Sequence, residues 1–194
     1  MASRLKTTKS LDSKDNKSHL PALNPSFERI KRVYIAQITK ADSKPQKIVD
    51  RLYLGSVGAA YTLAVLKNFK ITHILTLCEC LPPKFPNEFE YKVICITDEP
   101  TSHISSHFKE CLDWIKTAIS NGGVVLVHCF AGVSRSSTII IAYLMRYHNM
   151  NLKEAILYAK SKRPWINPNF GFMGQLRRYE NFLNNQRKKG AIEN

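Results

Sequence analysis

Apolar residues change rhythm several times along the chain, and each change marks an element. Phe27, Ile30, Tyr34 and Ile38 recur at spacings of three and four, with Arg29, Lys31 and Arg32 off that stripe and Ser26 placed to cap. This predicts a basic amphipathic helix over residues 27–39, with a linker running to residue 47. Leu52-Tyr53-Leu54 reads as a short strand ended by Gly55, Ala59 to Asn68 as a helix, and Thr72 to Cys78 as a buried strand. Pro82-Pro83 and Pro86 mark a loop before a strand from Tyr91 to Ile96. Ile104, Phe108, Cys111, Leu112, Ile115 and Ile119 share one helical face that stops at Asn121-Gly122-Gly123. Val124 to Val127 is uninterrupted and apolar, the signature of a strand covered on both faces. Three helices follow, over Ser137–His148, Leu152–Ser161 and roughly Asn169–Asn185, with Asn151 and Pro168 at helix starts. Strands alternating with helices predict an α/β fold with a mostly parallel sheet of about five strands flanked by helices.

Texture and charge divide the chain further. Residues 1–26 are rich in Ser, Lys, Asn and Asp and read as a flexible basic tail, residues 27–47 as basic helix and linker, 48–185 as the folded domain, and 186–194 as a second tail. The whole chain of 194 residues carries a net charge of +14. Half of it lies in residues 1–47, where 11 basic side chains face 4 acidic ones. Such an arm attracts any anionic partner, and the milder excess elsewhere suits an anionic substrate. No apolar run approaches the roughly 18 residues of a membrane span. Without an apolar segment after Met1 or a Gly at position 2, neither secretion nor myristoylation is expected. Five cysteines without a CxxC pair argue against a disulfide scaffold or zinc ribbon and for a reducing compartment, cytoplasm with the nucleus also open. His103 and His107 stand at helical spacing without a third ligand, so they read as surface residues rather than a metal site. Trp114 and Trp165 read as packing residues.

The chemistry concentrates in His128-Cys129-Phe130-Ala131-Gly132-Val133-Ser134-Arg135-Ser136, directly after the most apolar strand and opening a helix. A loop in that place exposes successive backbone N–H groups, and the helix behind adds its positive dipole end. Together they make a cradle for a tetrahedral dianion such as phosphate, with Phe130, Ala131, Gly132, Val133 and Ser134 supplying the curve. Amide dipoles and a nearby guanidinium favour the anionic form of a cysteine held there. Arg135 can return over the loop and grip two phosphoryl oxygens at once, and Ser136 can hydrogen-bond the sulfur or help it leave.

His-Cys-x-x-Gly-x-Ser-Arg-Ser resembles the phosphate loop of the cysteine-dependent dual-specificity protein phosphatases. Leu52-Tyr53-Leu54-Gly55-Ser56, Ala142-Tyr143-Leu144-Met145 and Pro168-Asn169-Phe170-Gly171-Phe172-Met173-Gly174-Gln175-Leu176 extend the likeness over roughly residues 48–183. The basic helix, the linker and Gly-Ser-Val-Gly-Ala-Ala are similar to the small plant-type members. The resemblance implies a tyrosine-phosphatase-like fold. It also implies hydrolysis of phosphotyrosine and phosphoserine/threonine through a phosphocysteine intermediate, without metal or other cofactor. By this match Cys129 is the nucleophile, Arg135 the phosphate binder, and His128 and Ser136 their tuning neighbours. Ser137 departs from the Pro or Ala of many relatives.

The resemblance places a general acid after the Tyr91–Ile96 strand. Thr97-Asp98-Glu99-Pro100 lies there, Asp98 matches the family's acidic residue, and Glu99 is its rival. Asn169 resembles a position that supports the active-site loops. Cys78 ends a strand at the same sheet edge, where some wider relatives carry a resolving cysteine, so a redox pair with Cys129 is one reading and a small buried hydrophobe the other. Phosphoproteins, MAP kinases among them, are the implied substrates. Residues 29–35 loosely resemble a docking motif of that kind, but a helix there would make the extended docking mode unavailable. The basic helix suits calmodulin or another acidic groove, or else docks on the core. No specific nucleic-acid partner is expected. The alternatives are a phosphoinositide or RNA 5′-triphosphate phosphatase, disfavoured by the uncharged loop interior; a glucan phosphatase, lacking room for a carbohydrate module; and a non-catalytic phosphoprotein-binding module, disfavoured by the presence of Cys129.

Overall fold

The computed structural model describes residues 25–79 and 81–190. Most of the expected N-terminal tail, the last four residues of the C-terminal one, and Cys80 lie outside them. The centre is the strand expected from the uninterrupted run, β5 (Val125–His128), every residue of which is buried. Around it lie β1 (Gln46–Val49), β2 (Leu52–Gly55), β3 (His73–Leu77) and β4 (Glu90–Ile94), in the spatial order β1-β2-β5-β3-β4. β2, β3 and β4 run parallel to β5, while β1 pairs antiparallel with β2.

Side chains alternate across this sheet with period two. Leu52, Leu54, Leu75, Leu77, Val125 and Val127 face one core. That core is closed by α4 (Phe108–Ser120), α5 (Arg135–Tyr147), α6 (Leu152–Lys162) and α7 (Phe170–Gly190). Ile74 and Leu126 face the other, with Ala60 and Leu66 of the short helices α2 (Val57–Ala60) and α3 (Leu63–Asn68). Parallel strands buried on both faces need helices on both, and the chain supplies them unequally, four long against two short.

The N-terminal helix α1 runs Pro25–Ala41, so Ser26 lies in its first turn rather than at a cap. Its inward face is also displaced from the predicted stripe. Ile35 and Ile38 pack against Val57, Cys78 and Leu81, whereas Ile30 and Tyr34 are exposed together with Val33. The helix is hydrophobic on more than one side, and neighbours available around α2 selected the face that docks. Residues 29–35 are helical, as predicted, so the extended docking mode that they loosely resemble is unavailable.

Further boundaries differ from the sequence reading: α7 continues to Gly190, into the stretch read as a tail from residue 186, and β4 ends at Ile94 rather than Ile96. The linker to residue 47 contains the start of β1, an edge strand with a single fully buried side chain, Ile48, and too short to show an alternation. The helix expected over Ala59–Asn68 is two helices separated at Tyr61-Thr62, where the Thr62 hydroxyl bonds back to Gly58 O at 2.8 Å. The stripe beginning at Ile104 opens with a 3₁₀ turn, Ile104–His107, before α4 proper, yet its apolar face stays continuous. At α6 Asn151 caps the helix start as expected, and it also exchanges hydrogen bonds with Glu154 in a full capping box. Of the two tryptophans, Trp114 packs on the core, but Trp165 is half exposed under the guanidinium of Arg163, with 4.7 Å to the ring centroid. Among the described residues no helix is long and apolar enough to cross a membrane.

Candidate active site

Everything chemical gathers at the carboxyl ends of β5 and β3, where a parallel sheet presents its loops. Residues 129–134 leave β5, curl, and enter α5 at Arg135. Four successive carbonyls, Phe130 to Val133, are each held by a donor from outside the loop. Phe130 O accepts from Val57 N at 2.9 Å, and Ala131 O and Gly132 O accept from Arg163 Nη2 and Nε at 3.0 and 2.9 Å. Val133 O accepts from Asn167 N at 2.8 Å. In a trans peptide the N–H points opposite to its carbonyl, so the amides of residues 131–134 are turned to the inside of the curl. One of them is seen at work: Gly132 N donates to Cys129 Sγ at 3.3 Å. Gly132 has φ +68°, and a Cβ there would stand 2.5 Å from both Arg163 and Gly55 O, so the tight turn requires glycine twice over.

Cys129 sits at the floor of this cradle with its sulfur also accepting from Ser136 Oγ at 3.2 Å. The adjacent His128 is fully buried, and Thr76 approaches its Nε2 at 2.8 Å while Cys129 O lies 3.1 Å from its Nδ1. A carbonyl can only accept, so Nδ1 carries the proton and Nε2 accepts from the threonine hydroxyl. Burial, reinforced by the Arg135 cation, lowers the His128 pKa to about 4, and the ring is neutral at physiological pH. Arg135 is 8% exposed; its Nη1 donates to Ile96 O at 3.1 Å, and its Nε is buried without a hydrogen-bond partner. That N–H makes no hydrogen bond and faces the Asp98 carboxylate only at ion-pair distance, so beside a cradle of inward amides it is free to bond an oxyanion.

The second loop, residues 97–103, reaches over from the end of β4. Asp98 Oδ1 accepts from Ser134 Oγ at 2.6 Å and from Asn169 Nδ2 at 3.0 Å, and Oδ2 lies 3.4 Å from Arg135 Nε. Asn169 N donates to Ser134 Oγ at 3.1 Å, and Asn169 Oδ1 caps α7 by accepting from Phe172 N at 2.9 Å. Asn169 thus both caps a helix and hydrogen-bonds the Asp98 carboxylate. Glu99 is exposed beside Asp98. Gly171 is needed where α7 crosses this loop, since a Cβ would stand 1.9 Å from Pro100 O. Gln175 fixes the far end, donating to Ser102 O and accepting from Ser105 N, both at 2.8 Å. Cys78 is a buried free thiol packed with Val57, Leu81 and Phe130.

Arg163, Asp42, Gln46 and Thr76 have no counterpart in the sequence reading. Arg163 stands in a run of basic residues, and nothing in Lys162-Arg163-Pro164 distinguishes it from a solvated charge. His107, read as a surface residue, is partly buried and pairs with Glu110 at 2.7 Å. Among the described residues no three His, Cys, Asp or Glu side chains are grouped so as to hold a metal.

Comparison with known proteins agrees with this geometry. Residues 52–182 match the model of the dual specificity phosphatase catalytic domain. The chain is 42% identical over 176 residues to dual specificity protein phosphatase 1 of Arabidopsis thaliana, covering 87% of this chain and 89% of the relative. It is 39% identical over 173 residues to the MAP kinase phosphatase with leucine-rich repeats protein 3 of Dictyostelium discoideum, 89% of this chain but 20% of that longer protein. Among solved structures, the human tyrosine phosphatase-like serine/threonine/tyrosine-interacting protein superposes with a TM-score of 0.69 at 36% identity, covering 72% of this chain and 97% of the other. An α/β sheet with this site at its carboxyl edge, and these matches across most of the chain, make it a member of the dual specificity phosphatase family, a protein phosphatase.

Proposed function

We propose that Cys129, Arg135 and Asp98 divide the reaction among them as nucleophile, phosphoryl clamp and general acid. The observation that carries this division is the convergence of three groups on one cradle: the sulfur on its floor, a buried guanidinium whose Nε makes no hydrogen bond at its wall, and a carboxyl at its mouth that pairs with that guanidinium at 3.4 Å. In the first step Cys129 Sγ attacks phosphorus. The P–O bond to the substrate breaks, and the departing oxygen takes a proton from Asp98. Oδ1 of Asp98 is occupied by Ser134 and Asn169, which leaves Oδ2 to carry that proton. In the second step water attacks the phosphocysteine and gives its proton back to Asp98. Sulfur departs as thiolate, eased by the Ser136 hydroxyl. The inward amides of residues 131–134 and the planar Arg135 fork match the equatorial oxygens of the transferring phosphoryl. His128 holds the floor through Thr76, and its neutrality keeps a third charge out of the site.

Phosphotyrosine and phosphothreonine residues of proteins are the substrates that this site supports, and MAP kinases are the proposed clients, in keeping with the name of the Dictyostelium relative. Cytoplasm is the proposed compartment. A panel of phosphopeptides set against inositides and 5′-triphosphorylated RNA tests the assignment: release of phosphate from the peptides supports it, and preference for either other class overturns it. The outward residues Ile30, Val33 and Tyr34 favour a second role for α1, binding an acidic groove-type partner such as calmodulin. Titration of a peptide of residues 22–42 with Ca²⁺-calmodulin decides that point.

A further inference from the structure

Arg163 is wholly buried, yet it touches neither the candidate nucleophile nor the acid. Its five N–H donors are all engaged. Nε and one proton of Nη2 hold Gly132 O and Ala131 O of the phosphate loop. The remaining Nη2 proton and one of Nη1 grip the two carboxylate oxygens of Asp42, and the last reaches Gln46 Oε1. A planar fork is the one side chain that fills such a set, because a lysine ammonium cannot span two carbonyls and a carboxylate in one plane. Asp42 follows directly on α1, with its N–H on Ile38 O at 2.7 Å and its own carbonyl accepting from Ser56 Oγ at 2.8 Å. α1 in turn docks through Ile35 and Ile38. Asp42 and Gln46 both precede residue 52, where the catalytic-domain match begins.

We propose that Arg163 is a positioning residue for the phosphate cradle and that the segment after α1 is a working part of the active site, supplying the counter-charge that holds Arg163 in place. The two carbonyls that Arg163 pulls outward belong to the peptides whose N–H groups are those of Gly132 and Val133, the middle of the cradle. Freed of Asp42, the buried cation is drawn toward water, and those two peptides lose the restraint that aims their amides at the dianion. Whatever displaces α1 from the core therefore weakens oxyanion binding at a distance, with no contact to substrate. This rests on the phosphatase reading, but fails separately from it: wild-type hydrolysis of a phosphopeptide tests that reading, and the variants test this one.

The experiment uses the full chain at low temperature, with competitive inhibition by tungstate, a non-reacting tetrahedral dianion, as the probe of cradle geometry. Asp42→Asn keeps the side-chain shape and is expected to weaken tungstate about tenfold and to lower kcat/KM to match, a fraction of the loss for deleting an oxyanion donor outright. Arg163→Lys is expected to lose more. Gln46→Ala, neutral and half-buried, is expected to lose about two- to threefold and keeps the test open if the charged variants do not fold. Ile115→Val, a core change remote from the cradle, is the control: it lowers the melting temperature while tungstate affinity stays at the wild-type value. Folded Asp42→Asn or Gln46→Ala protein that binds tungstate as tightly as wild type would overturn the proposal.

Discussion

The two loops that meet at Cys129 are built on opposite plans. The phosphate loop is fastened by its backbone: four successive carbonyls are each held by a donor from elsewhere in the molecule, and its sulfur and flanking histidine are buried. The loop of Asp98 is fastened by side chains, through Ser134, Asn169 and Gln175, and Asp98 and Glu99 on it are exposed. A cradle for a transition state must not move as charge develops, since reorganisation would forfeit the stabilisation. A general acid must instead meet leaving oxygens at different heights, from a long phosphotyrosine to a short phosphothreonine. Anchoring one loop by main chain and the other by a few side-chain hydrogen bonds serves both needs.

The comparison can be broken at its fixed side first. Cys129→Ser should abolish steady-state turnover while tungstate still binds, whereas Arg135→Lys should lose both, because the proposed mechanism gives the sulfur the covalent work and the guanidinium the gripping. Phosphate release and tungstate inhibition on purified variants separate the two roles, and any turnover by pure Cys129→Ser protein would contradict the mechanism.

At the adaptable side the expected loss depends on substrate. Asp98→Asn should slow phosphothreonine hydrolysis by about 10²- to 10⁴-fold, phosphotyrosine less, and nitrophenyl phosphate least, since a general acid matters in proportion to the basicity of the leaving oxygen. Glu99→Gln should change little; a graded loss there instead would transfer the acid role by one residue.

His128 sharpens the picture of the fixed side through stability rather than rate. Its folded pKa lies near 4, below the unfolded value of 6.5, so the unfolded chain takes up the proton first. The stabilisation is complete above pH 6.5 and drains away as pH falls toward 4, by about 3 kcal/mol for this one group. Denaturation midpoints measured at pH 7 and at pH 4.5 should show the fall, and a His128→Asn variant should show a shallower one.

The smallest effect tests the side-chain fastening alone. Asn169→Ala removes one of the two hydrogen bonds to Asp98 Oδ1 and the cap of α7. It should cost about 1 kcal/mol of stability from the cap. Activity should fall about tenfold, graded by leaving group as for Asp98→Asn but weaker. Tungstate affinity should stay unchanged, because the cradle keeps its own anchors. Equal loss on all substrates would mean that Asn169 supports the cradle, not the acid.

What the sequence determined by itself is whatever its neighbours along the chain can express. The run Val124–Val127 marks the central strand because burial on both faces forbids polar residues there. The nine residues from His128 to Ser136 announce a phosphate loop because strand, glycine turn and helix start must be contiguous to aim amides at one point. Asn151 and Glu154 hold their capping box within four residues. The tertiary structure decided what depends on distant partners. The face of α1 that docks, Ile35 and Ile38 rather than Ile30 and Tyr34, was chosen by an apolar surface built from Val57, Cys78 and Leu81. Asp98 rather than Glu99 meets Arg135 because β4 ends beside the phosphate loop and Asn169 reaches across from α7. The bond between Asp42 and Arg163 joins residues 121 positions apart. Each is an ordinary charged residue in its own stretch, and only burial, which makes an unpaired cation intolerable, turns the two into one structure.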